Sequence, residues 1–268
     1  MNDDPALARL HQAVAQIAEM NDADQEYADF EALYVSHTAG GWLHVRFLGL
    51  TFDEAFAACC AALCDPLVAP RLRTLQLDAI DEGANGTREW DFRPTVLASD
   101  AMFPALTRFQ ITRVQPGEHN RLIVAGNSYN EGGQLGQLLA RMPAVRSFCA
   151  PSAPDATFFE QGERPLDELI IDVGYEPQGF LANLGASSCF PQLRRLEYGD
   201  FNERYMDGWQ ATCATFDQYA ALLRAPGMQR VGKLVLRNSQ LTPDEVARLK
   251  DVRADILIQL TQSWDTYA

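Results

Sequence analysis

Positive charge is scarce in this chain: 22 Lys and Arg stand against 36 Asp and Glu, a formal net charge of -14. Nucleic acids and anionic membrane surfaces are held by clustered Lys and Arg, so this balance argues against both as partners. A basic protein is the partner that the overall charge favours. Long apolar runs are missing too, and no stretch approaches the roughly 18 uninterrupted apolar residues of a membrane span. The N-terminus shows no basic segment followed by an apolar run, the mark of a secretory leader. Six cysteines in 268 residues are too few for a disulfide framework, so reduced thiols and a cytoplasmic location are expected.

Motifs that would carry chemistry are equally thin. Neither G-x-x-x-x-G-K nor G-x-G-x-x-G occurs, and no Ser or Cys sits in a nucleophile elbow. Gly132-Gly133-Gln134-Leu135-Gly136 lacks the lysine of a phosphate loop and reads as a turn leading into a helix. His11, His37, His44 and His119 show no metal spacing. Cys60 and Cys64 stand one helical turn apart beside Cys59, but no second pair follows, and buried packing is the expected role. Asp22–Glu26 begins like a calcium loop and fails where Tyr27 replaces the glycine and Leu33 the bidentate acid. Asn85-Gly86-Thr87 is a glycosylation sequon without meaning in a cytoplasmic protein. No metal and no cofactor is expected.

What the chain does contain, with 47% hydrophobic residues, is a recurring phrase. Pro70-Arg71-Leu72-Arg73-Thr74-Leu75-Gln76-Leu77 returns as Pro104–Ile111, Pro143–Phe148 and Pro191–Tyr198. Without the proline in register it recurs at Leu166–Ile171 and Val231–Leu236. The anchors Leu72, Leu106, Val145, Leu166, Leu193 and Val231 are spaced by 34, 39, 21, 27 and 38 residues, an L-x-x-L-x-L frame with insertions. Alternation makes the later leucines of each unit share one strand face and leaves Thr74, Gln76 and Asp78 on the other. That second face is largely polar, with Ile170 and Val235 as exceptions, so an open sheet is expected rather than one covered on both sides.

Helices are predicted before each new strand, at Thr51–Cys64 with Thr51 as cap, Thr95–Met102, Gln134–Met142, Gly179–Cys189, Asp217–Leu223 and Thr242–Lys250. A last strand is expected over Ala254–Leu260, with Ile256 and Ile258 inward. At the front, Asp4-Pro5 starts a helix over residues 5–20, whose stripe Leu7, Leu10, Val14 and Ile17 needs a surface to cover. An acidic stretch follows: residues 1–31 hold eight acids and one Arg. Two regions result, a helical cap and acidic linker over 1–41 and a repeat domain over 42–268.

Val231–Leu249 reads L-x-x-L-x-L-x-x-(N/S)-x-L-T followed by a helix, through Leu234, Leu236, Ser239, Leu241, Thr242 and Leu249. This unit resembles a ribonuclease-inhibitor-type leucine-rich repeat. Over residues 43–260 the frame is similar to the irregular leucine-rich repeat proteins of bacterial cytoplasm. The family's Asn after the strand is replaced elsewhere by Ile80, Val114, Ala153, Gly174 and Phe201. The resemblance implies an α/β solenoid, a curved parallel sheet with helices on the convex side, capped by the N-terminal helix. It also implies a non-catalytic protein–protein interaction scaffold.

Two surfaces are candidates for that interaction. The concave face would carry Gln76, Asp78, Arg108, Gln110, Glu168, Asp172, Arg195, Glu197 and Arg237, either as a recognition surface or as solvated cross-strand pairs. The rim would carry Trp90, Tyr129, Tyr175, Tyr205, Asp207 and Trp209 on the post-strand insertions, either anchoring a partner or folding their own loops back. Two alternatives stand beside the scaffold: an immunity-type protein that neutralises a basic toxin, and an enzyme with an unrecognised carboxylate site around Asp78, Asp172 and Glu197.

Overall fold

The computed structural model describes residues 4–23, 31–51, 53–81, 86–115, 117–119, 121–126, 129–201 and 206–262. Tyr205, the sequon's Asn85 and most of the calcium-like segment lie outside them. The chain is mixed α/β, built on an open nine-stranded sheet. Its strands, in spatial order, are β1 (Ala32–His37), β2 (Leu43–Gly49), β3 (Leu72–Ala79), β5 (Arg108–Ile111), β7 (Ser147–Ala150), β8 (Glu168–Asp172), β9 (Arg195–Gly199), β10 (Lys233–Arg237) and β11 (Leu257–Thr261). All neighbours pair in parallel except β1, which lies antiparallel on β2. The order across the sheet is the order along the chain.

The repeated frame is visible as columns. The first anchors, Leu43, Leu72, Leu106, Val145, Leu166, Leu193 and Val231, are all fully buried. Val45, Leu75, Phe109, Phe148, Leu169, Leu196 and Leu234 form a second buried column in register across the strands. Phe47, Leu77, Ile111, Ala150, Ile171, Tyr198 and Leu236 form a third. Backbone bonds extend the ladder before each strand, as from Thr107 N to the Arg73 carbonyl, Arg146 N to Thr107, Arg194 N to Asp167 and Gly232 N to Arg194. Ile256 and Ile258 are inward, as expected.

Helices α1 (Pro5–Ala23), α2 (Glu54–Leu63), α3 (Gln134–Ala140), α4 (Phe180–Ala186), α5 (Phe216–Arg224) and α6 (Pro243–Val252) lie close to the predicted places. Thr242 caps α6 in a reciprocal capping box with Glu245, and Thr215 does the same with Gln218 for α5. Gly133, at φ +76°, supplies the left-handed residue that leads into α3. Cys59 and Cys60 are packed in the core from α2. No helix among the described residues is long and apolar enough to cross a membrane.

Four local expectations are corrected. Thr51 does not cap α2: its hydroxyl accepts from Glu89 N at 3.0 Å, and Asp53 caps instead by accepting from Phe56 N. Over Thr95–Met102 only a 3-10 turn, Val96–Ala98, forms. The guanidinium of Arg141 takes the carbonyl of Leu97, which a continued helix would need for the Ala101 N–H, and also that of Ala101. Ala32–His37, read as linker, is the antiparallel edge strand. The insertions after β3 and β5 build a second, parallel two-stranded sheet, β4 (Thr87–Trp90) with β6 (Arg121–Val124).

At the front, α1 packs on α2 and β1 through Ala6, Leu10, Ala13 and Ile17, a buried stripe at helical spacing. Asp4 accepts from Ala6 N and receives Arg71 in a two-pronged pair at 2.6 and 2.7 Å. Arg71 also donates to the Gly41 carbonyl, tying the helix start to the strand hairpin. Hydrogen bonding from Arg71 holds the Asp4 carboxyl down at about 2.

Candidate interaction surface

The sheet face opposite the buried columns presents three rows of side chains in strand register. The first is His44, Thr74, Arg108, Ser147, Glu168, Arg195, Lys233 and Leu257. The second is Arg46, Gln76, Gln110, Cys149, Ile170, Glu197, Val235 and Gln259. The third contains Asp78, Asp172, Gly199, Arg237 and Thr261. The concave-face residues expected from the sequence therefore do share one face.

They form two polar clusters. In one, Asp78 accepts from Arg46, from Gln76 at 3.0 Å and from Thr112. In the other, Arg195 bridges Glu168 and Glu197, the latter at 2.6 Å, and Ser147 donates to Glu168 at 2.6 Å. Arg113, from the segment after β5, reaches Glu197 and lies 3.8 Å from Asp172, which also pairs with Arg237. Burial would lower the Arg113 pKa, but the charges of Asp172 and Glu197 outweigh it and raise the value. Burial pushes Glu168 up, yet bonds from Ser147 and Arg195 leave its carboxyl below the usual range. Cys149 lies beneath this cluster, and burial pushes its thiol up to about 12, so it is not a ready nucleophile.

Arg113 and Gly199 were missed by sequence reasoning. Arg113 lies past the end of its strand, outside the alternation that found the others. Gly199 matters because a Cβ there would sit 2.0 Å from Asp172 Oδ1, so any side chain at this position would displace the carboxylate that meets Arg237 across β9.

The rim residues separate. Trp90 is 0% exposed and packs between Phe47, Phe56 and Phe92, with its Phe56 ring centroid 4.8 Å away, so it is core and offers no ring to a partner. Tyr129 is 59% exposed, sits at φ 69° and faces Tyr175 at 5.0 Å between ring centroids. Arg121 lies 5.8 Å over both the Tyr175 and Phe201 rings, and the Tyr175 hydroxyl meets Thr87 Oγ1 at 3.2 Å. Asp207 is exposed, whereas Trp209 is half-buried against the core at the start of a 3-10 turn.

Behind this segment, Asp200 is buried and accepts four hydrogen bonds from three donors. Ala214 N reaches both its oxygens at 3.1 and 3.0 Å, Phe201 N donates at 3.0 Å and the Tyr219 hydroxyl at 2.9 Å. Burial nevertheless raises its carboxyl to about 6. Two cavities, of about 410 Å³ between α4 and α5 and about 520 Å³ beside α4, are lined by none of Asp78, Asp172 and Glu197. Among the described residues no group of His, Cys, Asp and Glu is placed to hold a metal ion. Compared with known proteins, the chain matches no family model and none of the curated proteins.

Proposed function

We propose that this chain is a non-catalytic protein-binding scaffold, built as an irregular leucine-rich-repeat solenoid with α1 as its N-terminal cap. The repeat reading is supported by parallel strands in chain order, seven of which, from β2 to β10, carry a buried apolar anchor at or just before their start. In such a repeat each unit buries its apolar face only by stacking on its neighbours, which leaves the opposite sheet face free for recognition.

The observation that carries the binding reading is a polar sheet face together with an exposed Tyr129 ring set against half-buried Tyr175. Tyr129 holds a backbone conformation that costs a non-glycine residue about 1 kcal/mol or more, while exposing its ring next to Tyr175 and Arg121. Tyr and Arg are the residue types that most often anchor protein interfaces. An enzyme at the Asp78, Asp172 and Glu197 carboxylates is disfavoured, because each is engaged by an arginine.

Affinity capture from native lysate, comparing wild type with a Tyr129→Ala/Tyr175→Ala variant of equal stability, tests this reading. The expected result is a stoichiometric protein with wild type that is lost or reduced with the variant. No captured protein with wild type, together with turnover in a broad hydrolase screen, would overturn it.

A further inference from the structure

We infer that the leading edge of the nine-stranded sheet, where its parallel strands begin, is a docking band for an acidic polypeptide segment of the partner; this rests on the protein-binding reading above. The band is written in the two variable positions of each L-x-x-L phrase. Those pairs are Arg73-Thr74, Thr107-Arg108, Arg146-Ser147, Asp167-Glu168, Arg194-Arg195 and Gly232-Lys233. They hold six cations and two carboxylates, in a chain whose net charge is -14.

Register turns this sequence pattern into a surface. Thr74, Arg108, Ser147, Glu168, Arg195 and Lys233 are successive neighbours across β3, β5, β7, β8, β9 and β10. The residue before each of the last five is joined to the previous unit by the backbone ladder. The two acids are already committed, Asp167 to Arg146 at 3.0 Å and Glu168 to Arg195 and Ser147. Arg108 and Arg194 are exposed and Lys233 is half-buried, and none of the three makes an ion pair among the described residues. Local excess positive charge therefore faces solvent on an otherwise acidic molecule.

Charge complementarity identifies the occupant. At about 4.8 Å per strand, Arg108 and Arg195 stand about 14 Å apart and Lys233 one step further. An extended segment crossing the strands turns one face towards the sheet about every 7 Å, so carboxylates on alternate residues can reach these cations. A nucleic acid is disfavoured, because its long polyanionic backbone would also meet the acidic remainder of the protein. A short acidic segment confines its charge to the band.

The test uses the full chain and a fluorescein-labelled peptide of alternating Glu and Ser, read by anisotropy at low and at raised salt. Comparators are an alternating Lys-Ser peptide and a single-stranded oligonucleotide of equal charge. The key variant is Arg108→Gln/Arg194→Gln/Lys233→Gln, which breaks no ion pair among the described residues and should keep the wild-type Tm; Arg93→Gln, remote from the band, is the control. Binding of the acidic peptide, weakened by salt and at least about tenfold by the triple variant but not by Arg93→Gln, is expected. No acidic-peptide binding at about 1 mM overturns the inference. Equal binding by the triple variant, or tighter binding of the Lys-Ser peptide or of the oligonucleotide, does so too. If the peptide fails while Tyr129→Ala/Tyr175→Ala still releases a captured protein, the binding reading stands and only the acidic band falls.

Discussion

Asp172 and Arg237 form an ion pair across an intervening strand, over a position where the chain has no side chain. The strand between them is β9, and the residue in register with both is Gly199. Asp172 thereby becomes shared between Arg237 and Arg113, and the face is tied together across β5, β8 and β10.

Gly199→Ala should therefore destabilise the protein. The new Cβ would lie 2.0 Å from Asp172 Oδ1 and 3.2 Å from Arg237 Nε, so the pair must part with its charges still largely buried. A loss of about 3 kcal/mol is expected, the scale of a broken buried ion pair. Gly232→Ala is the comparison, because a Cβ there meets nothing within 4 Å, and its effect should stay within about 0.5 kcal/mol. Urea denaturation of both variants checks the prediction, and equal effects would refute the role given to Gly199.

Asp200 sets a pH dependence of opposite sense to that of a salt-bridged acid. Burial raises its folded value to about 6 against an ordinary 3.8, so the ionised form costs stability. The cost is present in full above pH 6, is relieved as pH falls through that value, and is gone below the unfolded value. In Asp200→Asn the amide oxygen can still accept from Ala214 and Phe201, but the titration is removed. Wild type should gain stability relative to Asp200→Asn between about pH 7 and pH 4, on the order of 3 kcal/mol at most. Thermal denaturation across that range measures the difference, and parallel curves would sink the argument.

The N-terminal helix tests the capping role. Leu10 is fully buried between α1 and its neighbours, so Leu10→Ala should cost about 2–5 kcal/mol as a cavity in a packed interface. Removing residues 1–23 would uncover the apolar surface of α2 and β1 that this stripe protects. Aggregation and dye binding to exposed apolar surface are expected. A truncated chain that stays monomeric, with unchanged Tm, would show that α1 caps nothing.

Much of the sheet was legible because its signal is local and repeated. Leu72, Leu106, Val145, Leu166, Leu193 and Val231 announce each strand, and alternation then assigns Gln76, Arg108, Glu168, Arg195 and Arg237 to the face they occupy. What failed depended on distant partners. Where a helix is expected over Thr95–Met102, Arg141, about forty residues downstream, occupies the Leu97 carbonyl that the helix would use. Trp90 sits in an insertion of acids and glycine whose sequence leaves both an anchoring and a folded-back role open, and the ring is core through Phe47, Phe56 and Phe92 while its strand pairs with Arg121–Val124. Neither event leaves a periodic trace in the neighbouring sequence.

Trp90 and Tyr129 then separate folding from recognition within the same rim. Trp90→Ala empties a site among Phe47, Phe56 and Phe92 and should cost about 3–5 kcal/mol. Tyr129→Gly should go the other way, because glycine adopts φ 69° without the steric cost of a Cβ. Its ring is exposed, so little burial is lost, and stability should be unchanged or rise by up to about 1 kcal/mol. If Tyr129 anchors a partner, the same variant should bind that partner more weakly while folding as well or better. Chemical denaturation and a binding titration on one preparation distinguish the cases. A Tyr129→Gly protein that is destabilised and binds normally would make the ring a structural element and remove it from the interface.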